Sequence, residues 1–518
     1  METTLGGILV RIGQTAIESS STAVIGLFVA AILRRMVGAA GTRRLFGDDG
    51  WQGLFRGWAI GSLLPVCGLG VIPVVRELRR AGVPAATVLA FLLAAPQLNP
   101  LSFLYGLTLS EPVVIVAFVL ATMAIAVLGG ELWKLLFGRA DDMPAGGDEP
   151  PPAKGLPRLA SVLVSAARDA TGPTMGYILF GIVVTGLIAG CLPYGCLSES
   201  MKAGDPASPL LMAALGLFAY SGVLPGMMRI GLMFDHGNSS GAAFVLFEIG
   251  IGMNAALIAW LAVTYGPRRA AGWLALILAM TLGIAYAMER PLYFATHVDA
   301  HTHAFDDWSN PWPEGMTPHA AAARDKLLQK VEILEPLALA TLGLLLPLGW
   351  LVRRVDRGGA VESWITRPRP VPPGGPSIWN HDVPGPVLGA VALVGLVVLS
   401  VVGLFIYYPS VPECLDMMTR TRADAFVAVN TGRKEEAIRQ LERLDLITRK
   451  MQVGAFLRTG AIDAAGGKAA EELRDQLEAI RDAFLANDPA AARRLLPDAE
   501  KAYRACRKAF QPETTPDP

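Results

Sequence analysis

Apolar residues dominate long stretches of this chain, each about 17–25 positions, the length an α-helix needs to cross the hydrocarbon core of a bilayer. They stand at 15–33, 57–75, 84–108, 112–137, 174–193, 208–230, 240–264, 270–288, 332–352 and 386–408, and they predict ten membrane-spanning helices. Glycine (55 residues) and proline (37) recur inside them, which helices in lipid tolerate better than helices in water. Beyond 410 the pattern changes. Apolar residues there recur at helical spacing among charged ones: Ile438, Leu441, Leu444 and Ile447, then Leu473, Leu477, Ile480 and Phe484, then Leu495, Ala499 and Ala502. Gly432, Gly466–Gly467 and Asp488–Pro489 punctuate this tail, with Asp488 placed as an N-cap before Pro489. The fold class expected is all-α: a polytopic membrane protein followed by a soluble bundle of about four helices.

The pattern divides the chain into a first membrane repeat (1–137), a linker (138–173) and a second membrane repeat (174–288). A His-rich external loop (289–331) follows. Then come two additional transmembrane helices (332–409) around a Pro/Gly-rich linker (353–385), and the helical tail (410–518). Charge sharpens this division. The last 109 positions hold 36 of the 90 charged residues, about 33% of that stretch against about 13% elsewhere. An ordinary soluble domain carries roughly 25%. The chain therefore meets two solvents, lipid for most of its length and water for its end. A formal net charge of zero, with no basic concentration, argues against nucleic acid as a partner. Five cysteines are too few for a disulfide scaffold. Arg11 inside the first apolar stretch argues against a cleavable signal.

Orientation follows from Lys and Arg near helix ends. Arg34, Arg35, Arg43, Arg44 and Arg56 place loop 34–56 in the cytoplasm, as do Arg268 and Arg269 for their turn and Arg353, Arg354 and Arg357 for theirs. Ten crossings of a cell (inner) membrane then leave the His-rich loop and the tail periplasmic or extracellular. Arg76, Arg79 and Arg80 conflict with this scheme, unless the helix there is broken or re-entrant.

The two membrane halves resemble each other. Gly70-Val71-Ile72-Pro73 matches Gly222-Val223-Leu224-Pro225 at an offset of 152. Gly82 matches Gly237, and Asn99 matches Asn254, at an offset of 155. Gly/Pro breaks at corresponding places in two halves point to a transporter's binding site, because broken helices present backbone groups that lipid cannot satisfy. The alternative is that Pro73 and Pro225 only kink helices.

The run Val66-Cys67-Gly68-Leu69-Gly70-Val71-Ile72-Pro73, then Gly82, then Phe91 through Ala95-Pro96-Gln97-Leu98-Asn99-Pro100, resembles a predicted-permease family that includes organoarsenical efflux permeases. The resemblance covers roughly residues 15–290. It implies a permease whose substrate is a small metalloid or metal-containing molecule. This chain has Leu69 where the family often has a second cysteine, and Tyr220 and Ser221 where the second half would carry thiols.

Several residues stand out as chemistry. Cys67 offers the soft thiolate that a trivalent arsenical or soft metal needs, or is simply a small buried apolar residue. Asn99 and Asn254 either face a polar substrate across the repeat or join helices by hydrogen bonds. Glu248 lies in an apolar stretch where a charge costs about 2.5–3.5 kcal/mol, so proton coupling is its natural role. A structural pair with an arginine such as Arg229 is the alternative. The substrate or ion pathway is accordingly expected at Cys67, Gly70, Pro73, Pro96, Asn99, Gly222, Pro225, Glu248 and Asn254. No cofactor is implied, apart from a divalent metal that His297, Asp299, His301 and His303 would hold on one face of an extended loop. Cys414 and Cys506 open and close the tail and are candidates for a disulfide. No Walker loop and no Cys-x-x-Cys-His occur, so neither ATP hydrolysis nor covalent haem is supported. No nucleophile–base constellation marks an enzyme. Two functions compete: secondary efflux of a small metalloid or metal-containing substrate, and a non-transporting anchor that presents a metal- or partner-binding external helical domain.

Overall fold

The computed structural model describes residues 2–47, 50–98, 103, 112–138, 156–235, 237–292, 304–312, 319–331, 334–356, 361, 365, 384–461 and 463–510. Regular structure in these residues is helical. They form two compact units, one within residues 1–400 and one within 401–518.

In the first unit, α1 (Glu2–Ile32) runs through a π-helical turn (Leu33–Val37) into α2 (Gly38–Phe46). Then follow α3 (Trp51–Leu63), α4 (Val71–Arg80), α5 (Ala85–Ala94), α6 (Pro112–Phe137), α7 (Leu156–Ala170) and α8 (Pro173–Cys191). The next group is α9 (Ala207–Gly216), α10 (Val223–Asp235), α11 (Ser240–Val245) with a second π-helical turn (Leu246–Ile251), α12 (Ala255–Tyr265) and α13 (Pro267–Met288). The unit ends with α14 (Ala320–Leu328), α15 (Glu335–Val355) and most of α16 (Gly385–Tyr407).

Five helices among the described residues are long and apolar enough to span: Thr3–Phe46, Val113–Phe137, Pro173–Cys191, Pro267–Met288 and Glu335–Val355. A sixth is the pair Ser240–Ile251 and Ala255–Tyr265, bent by 58°. Ten spans are not confirmed among the described residues, where several of the apolar stretches are short helices separated by breaks. Segment 57–75 is the end of α3, an irregular stretch at 64–70 and the start of α4. Segment 208–230 is α9, an irregular stretch at 217–222 and part of α10. Apolar composition alone registers both as continuous. Pro73 and Pro225 do not kink a helix interior. Each is the third residue of its helix, in the first turn, where a missing N–H leaves no bond unmade.

Small residues let these helices approach closely. Gly190 of α8 packs on Ile8, and Gly186 on Ile12, so α8 runs antiparallel to α1. A Cβ on Gly26 would overlap the carbonyl oxygen of Gly70, so α1 and the first break touch backbone to backbone. Part of the expected linker 138–173 is a packed helix instead. Val162, Ala166, Ala167 and Ala170 of α7 are buried with Leu27, Ala31 and Leu345. The long helices expose Leu135, Val263, Leu337 and Leu344, a surface suited to lipid rather than water.

The second unit carries α17 (Val411–Thr431), α18 (Lys434–Thr459), α19 (Ala464–Leu485) and α20 (Pro489–Phe510). Ser410 and Glu413 form a capping box, Gly432 ends α17 in the left-handed region, and the Asp488 carboxylate accepts the Ala491 N–H at 2.8 Å. Leu441, Leu444, Leu473, Leu477, Ile480, Phe484 and Ala499 share one core, while Ile438 and Leu495 stand at its edge. Cys414 and Cys506, the candidates for a disulfide, both lie in this core as free thiols. Burial pushes the Cys506 thiol up to about 12; burial and Glu413 push Cys414 up to about 11.

Asp445 bridges Arg449 at 2.9 Å and Arg474 at 3.1 Å. Burial works to raise its pKa, but the two guanidiniums outweigh it and bring the carboxyl down to about 2. Its contribution to stability is thus complete above the usual carboxylate value of about 3.9 and is lost as pH falls through about 2. Asp445→Asn should lower the melting temperature of the bundle near neutral pH and leave it unchanged well below pH 2, read by circular dichroism of the whole chain.

Candidate functional site

Helix α1 serves as a ruler. Arg11 on it and Arg34, in the π-helical turn that continues it, are 23 positions apart, about 35 Å at 1.5 Å per residue, close to the thickness of a hydrocarbon core. Thr22 lies midway between them.

Around Arg34, charge concentrates. Its guanidinium pairs with Glu77 at 2.7 Å and Asp169 at 3.1 Å. Arg168 pairs with Asp356, and Arg76 donates to the Thr174 hydroxyl. All of these groups but Asp356 line a cavity of about 350 Å³ that also meets Pro73, Arg35, Arg80 and Arg353. Arg43 donates to the Ala81 carbonyl at 2.8 Å, and the Arg79 guanidinium lies 4.2 Å over the Tyr265 ring. Helix α4 thus ends on the same side as α2. The pair α3–α4 enters and leaves by one face, which removes the conflict that Arg76, Arg79 and Arg80 pose for a simple span.

Around Arg11 a second cluster forms. Asp307, in the segment 304–312, meets Arg11 at 3.4 Å, Arg229 at 3.3 Å and Lys330 at 3.0 Å, and Lys330 also meets Glu18 at 2.7 Å. Burial works to raise the Asp307 pKa, but Lys330, Arg229 and Arg11 hold it well below the usual carboxylate range. The Arg229 guanidinium lies 5.1 Å over the Trp308 ring and donates to the Ser221 hydroxyl at 2.6 Å. Helix α8 ends near this face, where Asn310 N–H donates to the Leu192 carbonyl at 2.8 Å. The pair α9–α10 also enters and leaves by one face, since Ser239 N–H donates to the Met201 carbonyl and Lys202 bridges Asn238. Gly82 and Gly237, which end α4 and α10, both take the left-handed conformation (φ 79° and 65°) that glycine adopts without strain.

The two breaks meet near Thr22. The Thr22 hydroxyl donates to the Cys67 thiol at 2.7 Å, and the Gly70 N–H donates to it at 3.2 Å. The Tyr220 hydroxyl comes close to both Cys67 and Thr22, while the Tyr220 N–H donates to Thr185 at 2.8 Å. Asn254 caps α12, its amide oxygen accepting the Leu257 N–H at 3.1 Å. A Cβ on Gly68 would stand 2.7 Å from the Asn254 amide nitrogen, so only glycine lets this side chain reach the first break. Glu248 sits in the second π-helical turn, a distortion frequent at functional sites. Its side chain is wholly buried and accepts a hydrogen bond from Thr122 at 2.8 Å, and its backbone carbonyl accepts one from Gln97 at 2.8 Å.

Three buried polar atoms here make no hydrogen bond: the Tyr220 hydroxyl, Glu248 Oε1 and Asn254 Nδ2. Such atoms cost about 1–3 kcal/mol each, and in a native fold they call for a functional reason. Arg229, the sequence-based candidate partner of Glu248, is engaged with Asp307 instead. Pro96 is buried in the turn after α5, and Gly222 precedes α10. Asn99 and the proposed metal ligands His297, Asp299, His301 and His303 lie outside the described residues. Among the described residues no three His, Cys, Asp or Glu side chains group to hold a metal ion. Thr22, Gln97 and Thr122 carry no sequence pattern that marks them, and the partners of Asp307 lie far from it along the chain.

Apolar helices long enough to span, together with paired interruptions that face each other inside the protein, suit a multi-pass membrane protein. A family model described as a predicted permease matches residues 5–289, and the chain belongs to that family. It is also similar to the UPF0718 protein YcgR of Bacillus subtilis (strain 168), 32% identical over 85 residues. That alignment takes in 16% of this chain and 29% of the relative, so the chain spans under a third of the relative's length. No solved structure matches the chain.

Proposed function

We propose that this protein is a secondary permease that exports a small metalloid or metal-containing substrate across the inner membrane, through the place where the two breaks meet. The observation that carries this reading is the group of unpartnered polar atoms on Tyr220, Glu248 and Asn254 of the second half, gathered beside Cys67 of the first. An inverted internal repeat explains the arrangement. Each half has a long helix (α1, α8), then a hairpin of two short helices (α3–α4, α9–α10), then a further short helix (α5, α11) and later a long helix (α6, α13). Since α1 and α8 are antiparallel, one hairpin enters from each face and their tips meet midway. Binding at the midplane between such repeats is the recurring design of secondary transporters.

The face that carries Arg34, Arg43, Arg79, Arg80 and Arg353 is the cytoplasmic one by the positive-inside rule, so the cavity beside Pro73 opens to the cytoplasm. The tail 410–518 is then read as periplasmic, one apolar helix away from the basic loop 353–383.

Tyr220→Phe tests the site. It removes an unpartnered buried hydroxyl, so stability should hold or rise slightly, by about 1 kcal/mol. Export of an organoarsenical or divalent metal from proteoliposomes should nevertheless fall roughly tenfold, the loss expected when one substrate hydrogen bond disappears. Unchanged export of every substrate that the wild type moves would remove Tyr220, and with it the meeting point of the breaks, from the pathway.

A further inference from the structure

The cytoplasmic cavity is basic beyond what its own acids can match. Of its lining residues, Arg34, Arg35, Arg76, Arg80, Arg168 and Arg353 are cations, while Glu77 and Asp169 are acids. Both acids are committed to Arg34, at 2.7 Å and 3.1 Å. Arg168 has Asp356. Arg76 donates to the Thr174 hydroxyl, and Arg353 donates to the Thr171 hydroxyl at 3.0 Å and to the Arg168 carbonyl at 2.8 Å. Those acceptors are neutral. Among the described residues, no carboxylate pairs with Arg76 or Arg353. Two guanidiniums thus face one cavity of about 350 Å³.

The opposite end of α1 shows what such a framework accepts. There the carboxylate of Asp307 sits among Arg11, Arg229 and Lys330, within 3.0–3.4 Å of each. Arg229 stands four residues after Pro225, as Glu77 stands four residues after Pro73. One vestibule is therefore filled by an anionic group of the chain itself. Its counterpart, with more arginines, is an open cavity.

We infer that the cytoplasmic cavity is a binding site for a small oxyanion, of the phosphate, arsenate or phosphonate class, held between Arg76 and Arg353. The planar fork of arginine matches the paired oxygens of such groups. The site adjoins Pro73, the foot of the first break, so it receives substrate before the midplane. An inside-negative potential drives a bound anion outward, which gives export a direction and an energy source without ATP. The step from binding to movement rests on the permease reading above; binding itself does not. A phospholipid headgroup offers the same phosphate chemistry and is the other source of a ligand.

The test uses the full chain in nanodiscs of zwitterionic phospholipid, with inorganic phosphate and arsenate titrated by calorimetry. Saturable binding is expected, weakened roughly tenfold or more by Arg76→Gln and by Arg353→Gln. It should be only partly kept by Arg76→Lys, which retains the charge without the fork, and unchanged by Arg354→Gln, a neighbouring arginine that does not line the cavity. Arg353 is exposed, so its substitution leaves folding intact even where that of Arg76 does not. A parallel arm replaces part of the lipid with phosphatidylglycerol. Competition with phosphate, together with lipid that co-purifies with wild type and not with Arg353→Gln, identifies the headgroup as the occupant and still supports an anion site. Absence of binding by either source, or equal loss in Arg354→Gln, overturns the proposal. Counterflow in proteoliposomes separates the two readings. Flux of a neutral substrate without anion binding sinks this inference alone, whereas anion binding without any flux sinks the permease alone.

Discussion

Glu248→Gln is expected to abolish pH-gradient-driven transport in proteoliposomes while the protein stays folded. Glu248 is the wholly buried acid of the membrane unit, in a π-helical turn between two short helices. One of its carboxyl oxygens is held by Thr122, and the other makes no hydrogen bond. A permanently charged group at such a place costs about 2.5–3.5 kcal/mol by insertion scales, and among the described residues no cation pairs with it, since Arg229 belongs to Asp307. A carboxyl that takes up a proton in one state of the cycle and releases it in another avoids the cost and couples the proton to the substrate. Glutamine keeps the shape and the hydrogen bond from Thr122 but cannot ionise. Coupling free energies of about 1–3 kcal/mol correspond to about 5–150-fold, and this factor should vanish from the pH dependence of flux. Exchange of substrate at equal pH should persist, and the melting temperature should be unchanged or higher. Glu248→Asp should retain a reduced, pH-dependent flux. Full pH-driven transport by the glutamine variant would make Glu248 a packing residue.

Much of this site was legible in the sequence, and the limit was physical. Paired Gly-x-x-Pro breaks, the acid in an apolar run and the asparagine at 254 can all be read from residue type, because lipid penalises each unless it has a purpose. Asn254 shows the limit. Its equivalence to Asn99 suggests two amides facing a substrate, yet its oxygen caps α12 and only its nitrogen turns to the break. Hydropathy integrates over a window about as long as a span, so a helix–break–helix hairpin of the same composition reads as one crossing. Only the contact of Arg43 with Ala81, and of Met201 with Ser239, shows that each hairpin returns to its own face. Helix α7 was hidden for a related reason. Its small buried residues, Ala166, Ala167 and Ala170, carry little hydropathy, although they bury the face that places Arg168 and Asp169 at the cavity. The charge clusters join residues as far apart as Glu18 and Lys330, and no local pattern encodes such pairs.

Asp307→Ala should be the most destabilising single change on the face opposite the cavity. Arg229 and Arg11 are almost fully buried, with side chains only 4% and 7% exposed, and Asp307 is their shared counter-charge. Removing it leaves buried cations without compensation. Breaking a fully buried pair costs about 3–5 kcal/mol; a third of Asp307 is exposed, so about 2–4 kcal/mol is the discounted expectation. Thermal unfolding in detergent measures this loss. Adding Arg229→Met should recover part of it, because the stranded charge is then gone and the methionine fills the space beside Trp308. Acid is not an equivalent perturbation. A carboxyl whose folded pKa is depressed contributes its full stabilisation above the unfolded value, and loses it only as the pH falls through the folded one. With three cations around it, Asp307 therefore keeps the 304–312 segment latched over Arg229 through the whole physiological range, and release has to come from a competing anion or from movement of α10. The alanine variant should accordingly leak substrate in the absence of a gradient. A variant as stable and as tight as the wild type would show that this segment is held by Trp308 and Trp312 alone, and that the ion cluster closes nothing.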